Sequence, residues 1–307
     1  MSYAPILLTV FNRADYAKKV LDSLAKNELA KFSELYIYSD GPRRIEEEEK
    51  VRAVREVLKN VKGFKKVTVV AAPKNKGLAN SVIGGVTDIV NRYGKVIVLE
   101  DDLLTQKYFL NVMNQMLDYY ELDNNVGAVT AFSQSVRQMK FPKDYKQDTF
   151  FNVRPTSTGW GTWKNRWEKV DWKVSDFEQF MSNRSMQKEF NRGGKDLTPM
   201  LKAKMKGKID SWAIRWAYHI FKNNLVSVQT VKSYINNIGY DASGTNGKNE
   251  DYFFQQETMA NKKILTLSSY EGTPSWSVIR EYAKPFSLGW VYLKKKMFSK
   301  LGILIKI

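Results

Sequence analysis

The sequence predicts an α/β protein built on a doubly wound, mostly parallel sheet. Short β-branched apolar runs recur through the first 130 residues, and helical runs of 10 to 17 residues separate them. One run, Lys95-Val96-Ile97-Val98-Leu99, ends directly in three carboxylates, Glu100-Asp101-Asp102. Continuous apolar runs of this length suit strands buried on both faces, and helices between them supply the crossovers that parallel strands need. Packing alone gives no reason to end such a strand in three negative charges. They lie where open α/β sheets bind ligands, and a divalent cation with a phosphorylated ligand would offset their repulsion. The alternative is a solvated acidic turn.

Ile6-Leu7-Leu8-Thr9-Val10 reads as the first strand, followed by a helix from Asp15 to Lys26 with Tyr16, Val20, Leu21 and Leu24 on one face. Leu35-Tyr36-Ile37-Tyr38 is the second strand, ended by the turn signal Ser39-Asp40-Gly41-Pro42. A charged helix from Glu46 to Lys59 turns Val51, Val54, Val57 and Leu58 inward, and Glu46 to Glu49 reads as its solvated start. Lys66-Val67-Thr68-Val69-Val70 is the third strand, and a helix runs from Gly77 to Tyr93, where Gly94 stops it. After the carboxylate-ended strand come a helix over 105–120 and a strand at Gly127-Ala128-Val129-Thr130. In this architecture the loops after strands one, two and four meet at one edge. Those loops hold Phe11-Asn12-Arg13, Asp40-Gly41-Pro42-Arg43 and Glu100-Asp101-Asp102.

The alternation fades after about residue 135, and all eight Trp lie at 160 or later. Three regions are expected: 1–135, 136–284, and a basic C-terminal segment 285–307. The second is expected to pack on the first, since no Pro/Gly/Ser tether separates them.

With no Cys, disulfides, thiolate metal sites and a Cys nucleophile are excluded. A single His219 excludes His-cluster metal sites, so acid–base chemistry falls to carboxylates, Tyr or Lys. His219 itself reads as a packing or surface residue. The start lacks a basic segment followed by a long apolar core, and no run of about 18 uncharged apolar residues exists, so the expected compartment is the cytoplasm. A formal charge of +17 implies an anionic partner: nucleic acid, anionic lipid or a phosphorylated ligand.

Four further segments have two readings each. Asn75-Lys76-Gly77 precedes a helix, where amides and a Lys favour an anion, or where Gly is a plain cap. Thr158-Gly159-Trp160-Gly161-Thr162-Trp163 reads as a loop with a flat apolar wall for a sugar, or as a Gly turn with core tryptophans. Asp210, before a helix carrying Trp212 and Trp216, is a general base or that helix's N-cap. Tyr240 to Gly247 is an active-site lid or a surface loop. The 285–307 segment interleaves Lys294, Lys295, Lys296 and Lys300 with Trp290, Tyr292, Met297, Phe298 and Leu301. That pattern suits an anionic bilayer surface, or a terminal helix docked on its own domain.

Taken together, these segments resemble the GT-A fold glycosyltransferases that use nucleotide-sugars, especially the group around N-acetylglucosaminyltransferase I and its bacterial relatives. Pro5 to Arg13 looks like their first strand and nucleotide loop, and Ser39-Asp40-Gly41 like the loop whose Asp contacts the base. Glu100-Asp101-Asp102 looks like the EDD form of their DXD motif. Gly159-Trp160 followed by Trp167 resembles their Gly-Trp segment, Asp210-Ser211-Trp212 their catalytic-base segment, and Gly239 to Gly247 their later Gly-rich loop. Two departures stand out: the family can carry two adjacent acids where this chain has only Asp210, and relatives often carry His where Asn246 stands.

The resemblance implies a metal-dependent inverting transfer from a nucleotide-sugar, UDP-linked, to a hydroxyl of a glycan or lipid-linked saccharide. It implies Mn²⁺ or Mg²⁺ on Asp102, donor contacts from Phe11, Asn12, Arg13, Asp40, Lys76, Glu100 and Asp101, and Asp210 as base. Trp160 and Trp212 would shape the sugar and acceptor pocket. The 1–135 region would bind the donor and 136–284 the acceptor, at the inner face of the cytoplasmic membrane. Two rivals remain. A sugar-nucleotide nucleotidyltransferase would open with a Gly-rich phosphate loop, which Val10 to Ala14 lacks. A non-catalytic nucleic-acid binder would be repelled at the acidic triplet, so no nucleic-acid partner is expected.

Overall fold

In a computed structural model of the chain, the described residues are 3–135, 138–239 and 259–287. β1 (Ile6–Val10) leads into α1 (Ala14–Ala25), β2 (Glu34–Ser39) into α2 (Glu48–Leu58), and β3 (Lys66–Ala71) into α3 (Leu78–Tyr93). β4 (Lys95–Glu100) is followed by a short β5 (Leu103–Thr105), α4 (Phe109–Tyr119), β6 (Val126–Thr130), β7 (Thr149–Asn152) and β8 (Trp160–Trp163). Helices α5 (Lys164–Trp167), α6 (Phe177–Ser182), α7 (Arg184–Phe190), α8 (Leu197–Met205) and α9 (Ala213–Lys222) come next, then β9 (Val226–Thr230), β10 (Ile235–Asn237) and α10 (Trp276–Ala283).

The eight-stranded sheet has the order β3-β2-β1-β4-β8-β6-β9-β7, and β10 pairs with β5 separately. Strands β3, β2, β1 and β4 run parallel, as the alternation predicts. β8 enters antiparallel between β4 and β6, and β9 runs parallel to β6 and antiparallel to β7. Strands from beyond residue 135 thus complete the sheet that the first 130 residues begin.

Both faces of the centre are covered. Ile6, Leu8, Ile97 and Leu99 join α1 and α4 in one core, while Leu7, Val96 and Val98 join Val82, Val86 and Ile89 of α3 in another. A fully buried aliphatic side chain of this kind contributes about 1.5–3 kcal/mol, which is why the apolar runs read so clearly as strands.

Three local expectations are corrected. The segment around Trp160 is a central strand, not a loop: Trp160 and Trp163 fall on opposite faces of the sheet, in different cores. Gly161 permits it, because a side chain there would lie 2.8 Å from the Val96 carbonyl oxygen. The helix expected over 105–120 begins at Phe109, since residues 103–105 pair with β10. Glu47 is not solvated. It is buried, accepts Arg43's backbone N–H at 3.0 Å, and receives its guanidinium.

Trp160, Trp167, Trp212 and Trp216 form one cluster under α9. His219 lies on Trp216, with ring centres 5.4 Å apart and nearly parallel planes, and its Nδ1 is 3.2 Å from Asn223 Nδ2. It is a packing residue. Among the described residues no helix is long and apolar enough to cross a membrane.

Burial pushes the His219 imidazole down to about 4, and Lys169 and Lys222 act in the same direction. The unfolded chain, with His near its ordinary value of roughly 6.5, therefore binds the extra proton between these limits. The stability from keeping His219 neutral is complete above that ordinary value and is lost as pH falls toward the folded one. In urea unfolding, His219→Phe should lose about 2 kcal/mol less than wild type between pH ~7 and ~4.5. Equal losses would mean that the folded imidazole takes up its proton as readily as the unfolded one.

Candidate active site

The parallel register brings three loops to one edge. Val10 is opposite Ser39, and Thr9 is opposite Glu100. Phe11-Asn12-Arg13, Asp40 to Arg43 and Glu100-Asp101-Asp102 therefore leave the sheet side by side. Ala71 of β3 is also opposite Ser39, which adds Asn75-Lys76-Gly77.

Arg13 links the first and third loops. Its Nη2 donates to both Asp101 and Asp102, the latter at 3.0 Å, and its guanidinium stacks over Tyr16 at 4.9 Å. Asp101 is buried and also accepts the Phe11 backbone N–H. Burial, reinforced by Asp102 and Asp101, pushes the Glu100 carboxyl up to about 8, with Arg13 opposing. Burial also raises Asp101 above the usual carboxylate range, despite Arg13. For Arg13, burial works against the charge, but Asp101 and Asp102 outweigh it and hold the guanidinium more firmly protonated.

One guanidinium for three carboxylates leaves the site electron-rich and short of positive charge. That donor set fits a hard divalent cation. Among the described residues no three acids converge into a cage, but Mg²⁺-type ions commonly use one or two carboxylates and take the rest from phosphate and water. Asp102 is also where the later Gly-rich segment begins. The Ile238 N–H donates to the Asp102 carbonyl at 2.9 Å, and a side chain at Gly239 would collide with its carboxylate. Residues 240–247 lie outside the described residues.

Asp40 ties the second loop to the turn before α3. Its Oδ1 accepts the N–H groups of Gly41 and Lys76, both at 2.8 Å, and its Oδ2 accepts Gly77 N–H and Asn75 Nδ2, both at 3.0 Å. Both oxygens are therefore engaged within the protein, and Asp40 shapes the loop pair. Lys76 is exposed, and Phe11 and Asn12 are half-buried. Two arginines went unassigned in the sequence reading. Arg43 lies over the Phe11 ring at 5.0 Å, and Arg55 Nη2 donates to the Ala72 carbonyl at 2.7 Å. The Asp-Gly-Pro-Arg turn signalled Arg43, whereas Arg55 sits on a charged helix face that looked solvated.

Asp210 reaches the same edge. Its Oδ2 lies 3.3 Å from where a Gly77 side chain would stand, and the nearby Ala79 N–H at the start of α3 helps draw its carboxyl down. Its Oδ1 accepts from Lys204 Nζ at 2.8 Å, and that bond, first among the causes, holds its carboxyl below the usual range. The side chain is 55% exposed. The N-cap alternative is corrected: Ser211 Oγ accepts the Ile214 N–H at 3.3 Å, so Asp210 serves α3 and not its own helix. Trp160 and Trp212 do not offer a wall to a ligand. They are 0% and 2% exposed and stack on each other at 5.0 Å, so the core reading describes both.

Further along this edge, beside Thr158, lies a cavity of about 250 Å³ lined by Phe132, Arg154, Thr158, Leu197, Ile214 and Tyr282. Another, of about 290 Å³, sits by Gly94 and Lys164 at the opposite edge, away from the carboxylates.

Residues 6–187 match the family model described as glycosyl transferase family 2, more than half of the chain. No curated protein matches the sequence significantly. Solved structures similar to it include S. aureus TarS, at 13% identity over 55% of this chain and 30% of that one, TM-score 0.36. They also include the mannosyltransferase PcManGT from Pyrobaculum calidifontis in complex with GDP-Man and Mn²⁺, at 11% identity over 73% and 70%, TM-score 0.38. An active-site mutant of LgtC matches at 12% identity over 58% and 64%, TM-score 0.37. The chain thus spans less than a third of TarS and under two thirds of LgtC.

Asp40→Asn should cost about 1–3 kcal/mol in urea unfolding, because an amide turns a donor toward backbone N–H groups. Unchanged stability would show that the Asp40 bonds do not hold the two loops together.

Proposed function

The chain belongs to glycosyl transferase family 2, and we propose that it transfers a sugar from a UDP-linked donor to a glycan or lipid-linked saccharide, with inversion, in surface polysaccharide synthesis. The observation that carries this reading is the meeting of Arg13, the acidic triplet, the Asp40-bound loops and Asp210 at one sheet edge. The resemblance of the Pro5–Arg13 and Asp210–Trp212 segments to the N-acetylglucosaminyltransferase I group supports UDP and inversion.

In this reading the Phe11–Arg13 loop and the Asp40 loop hold the nucleoside, with Lys76 near the phosphates. Glu100 and Asp101 hold the ribose or donor sugar. Asp102 would hold Mn²⁺ or Mg²⁺, which supplies positive charge to the leaving diphosphate. Asp210 takes the proton of the acceptor hydroxyl, and that oxygen attacks the anomeric carbon from the face opposite the departing diphosphate oxygen. Lys204 holds Oδ1, so Oδ2, which faces Gly77, is the oxygen that takes this role. The Lys204 bond keeps Asp210 ionised but lowers its basicity, so positioning against the acceptor hydroxyl carries its contribution. Trp160 and Trp212 act from beneath, fixing β8 and the approach to α9. The cavity beside Thr158 is the proposed seat of the acceptor saccharide.

The basic segment 285–307 is proposed to hold the enzyme at the anionic inner face of the cytoplasmic membrane; its residues from 288 on lie outside the described residues. Removing 288–307 should release the protein from anionic liposomes in a sedimentation assay, and undiminished binding would end this part of the reading.

A panel of UDP- and GDP-sugars, assayed for hydrolysis with and without Mn²⁺, tests the activity. One donor should turn over in a metal-dependent way. Asp102→Ala should abolish that turnover. Asp210→Asn should bind the donor normally yet lose about 10²–10⁴-fold in transfer, the usual contribution of a positioned base. Turnover of no donor, with or without metal, would refute the proposal.

A further inference from the structure

Arg13 occupies the place where positive charge is needed. Among the described residues it is the one basic group paired with the triplet. Its Nη2 serves Asp101 and Asp102 together, while its Nη1 is buried and, among the described residues, has no hydrogen-bond partner. A guanidinium has five donors in a rigid fork, and a buried donor without a partner is costly. The free Nη1 means that the pairing with Asp101 and Asp102 satisfies Arg13 only in part.

A divalent ion at Asp102 and the guanidinium at Asp102 are competitors. An ion arriving alone must either sit against the guanidinium that holds Asp102 Oδ2 or displace it, stranding a partly buried charge whose second nitrogen already lacks a partner. A diphosphate arriving with the ion changes this balance. Its oxygens match the guanidinium fork and give both nitrogens acceptors.

We propose that Arg13 is a resident counter-cation that suppresses divalent-ion binding at Asp102 until a nucleoside diphosphate draws the guanidinium away. This rests on the reading that Asp102 is the metal ligand. Arg13 is then a positioning residue that couples two ligands: the diphosphate tightens the ion, and by linkage the ion tightens the diphosphate by the same factor.

The test is Mn²⁺ affinity, read from the free-ion EPR signal, without nucleotide and with saturating UDP or GDP in parallel. In wild type either nucleotide should tighten Mn²⁺ by about tenfold or more. Arg13→Gln should bind Mn²⁺ alone about tenfold more tightly than wild type, and its gain with nucleotide should be smaller than wild type's, leaving only what direct phosphate ligation of the ion supplies. Arg13→Lys, which keeps the charge but not the fork, should fall between them. Asp102→Ala should lose the nucleotide-dependent site. If Arg13→Gln binds Mn²⁺ alone no better than wild type while Asp102→Ala abolishes the site, the counter-cation role is overturned and the metal reading survives. If wild type binds no Mn²⁺ with either nucleotide, the metal reading falls, and this inference with it. Should Arg13→Gln fail to fold, the wild-type arm decides, because equal Mn²⁺ affinity with and without nucleotide overturns the coupling.

Discussion

Arg13 sits between Asp101 and Asp102 at the end of β4, and the arrangement of the neighbouring loops depends on holding it there. Three carboxylates on successive residues repel one another, and burial makes each charge harder to keep. Burial first, and then Asp102 and Asp101, push Glu100 up against the opposing charge of Arg13. The loop after β1 is therefore fixed to the loop after β4 by charge. The loop after β2 is fixed to the turn before α3 by three hydrogen bonds of Asp40. Parallel pairing sets both at one level. A site short of positive charge is suited to a phosphorylated ligand that brings a cation with it.

The second half of the chain supports this edge from below and from the side. β8 closes the sheet beside β4, and its Trp160 anchors Trp212 and Trp216, which fix the start of α9. Asp210 stands just before that anchored point and reaches across to α3. The aromatic cluster is thus connected to the chemistry through the backbone it holds, not by contact with a ligand.

What the sequence made legible follows from how local each signal is. Ile6–Val10, Lys95–Glu100 and the helices between them were readable because burial on two faces and a single amphipathic stripe leave short-range patterns. The meeting of Arg13, Asp40 and the triplet was readable from topology. The β5–β10 pair was not, because its two strands are distant in sequence and only three residues long each. Gly161 misled, because Gly beside Trp suggests a turn when the neighbouring Val96 carbonyl, invisible in sequence, is what requires it. Asp210 looked like a cap for the helix that follows it, and only the folded chain shows it at the start of another. Trp160 and Trp212 were placed in the right region with the wrong exposure, since an aromatic residue near a site reads alike whether its ring faces ligand or core.

Hydrogen–deuterium exchange on addition of Mn²⁺ with UDP or GDP tests the central claim most directly. The account predicts joint protection of backbone amides in 11–15, 40–43, 74–79 and 100–104, with the opposite-edge segment around Gly94 and Lys164 unchanged. Protection confined to any other surface, or none at all, would contradict a single ligand crevice formed by these loops.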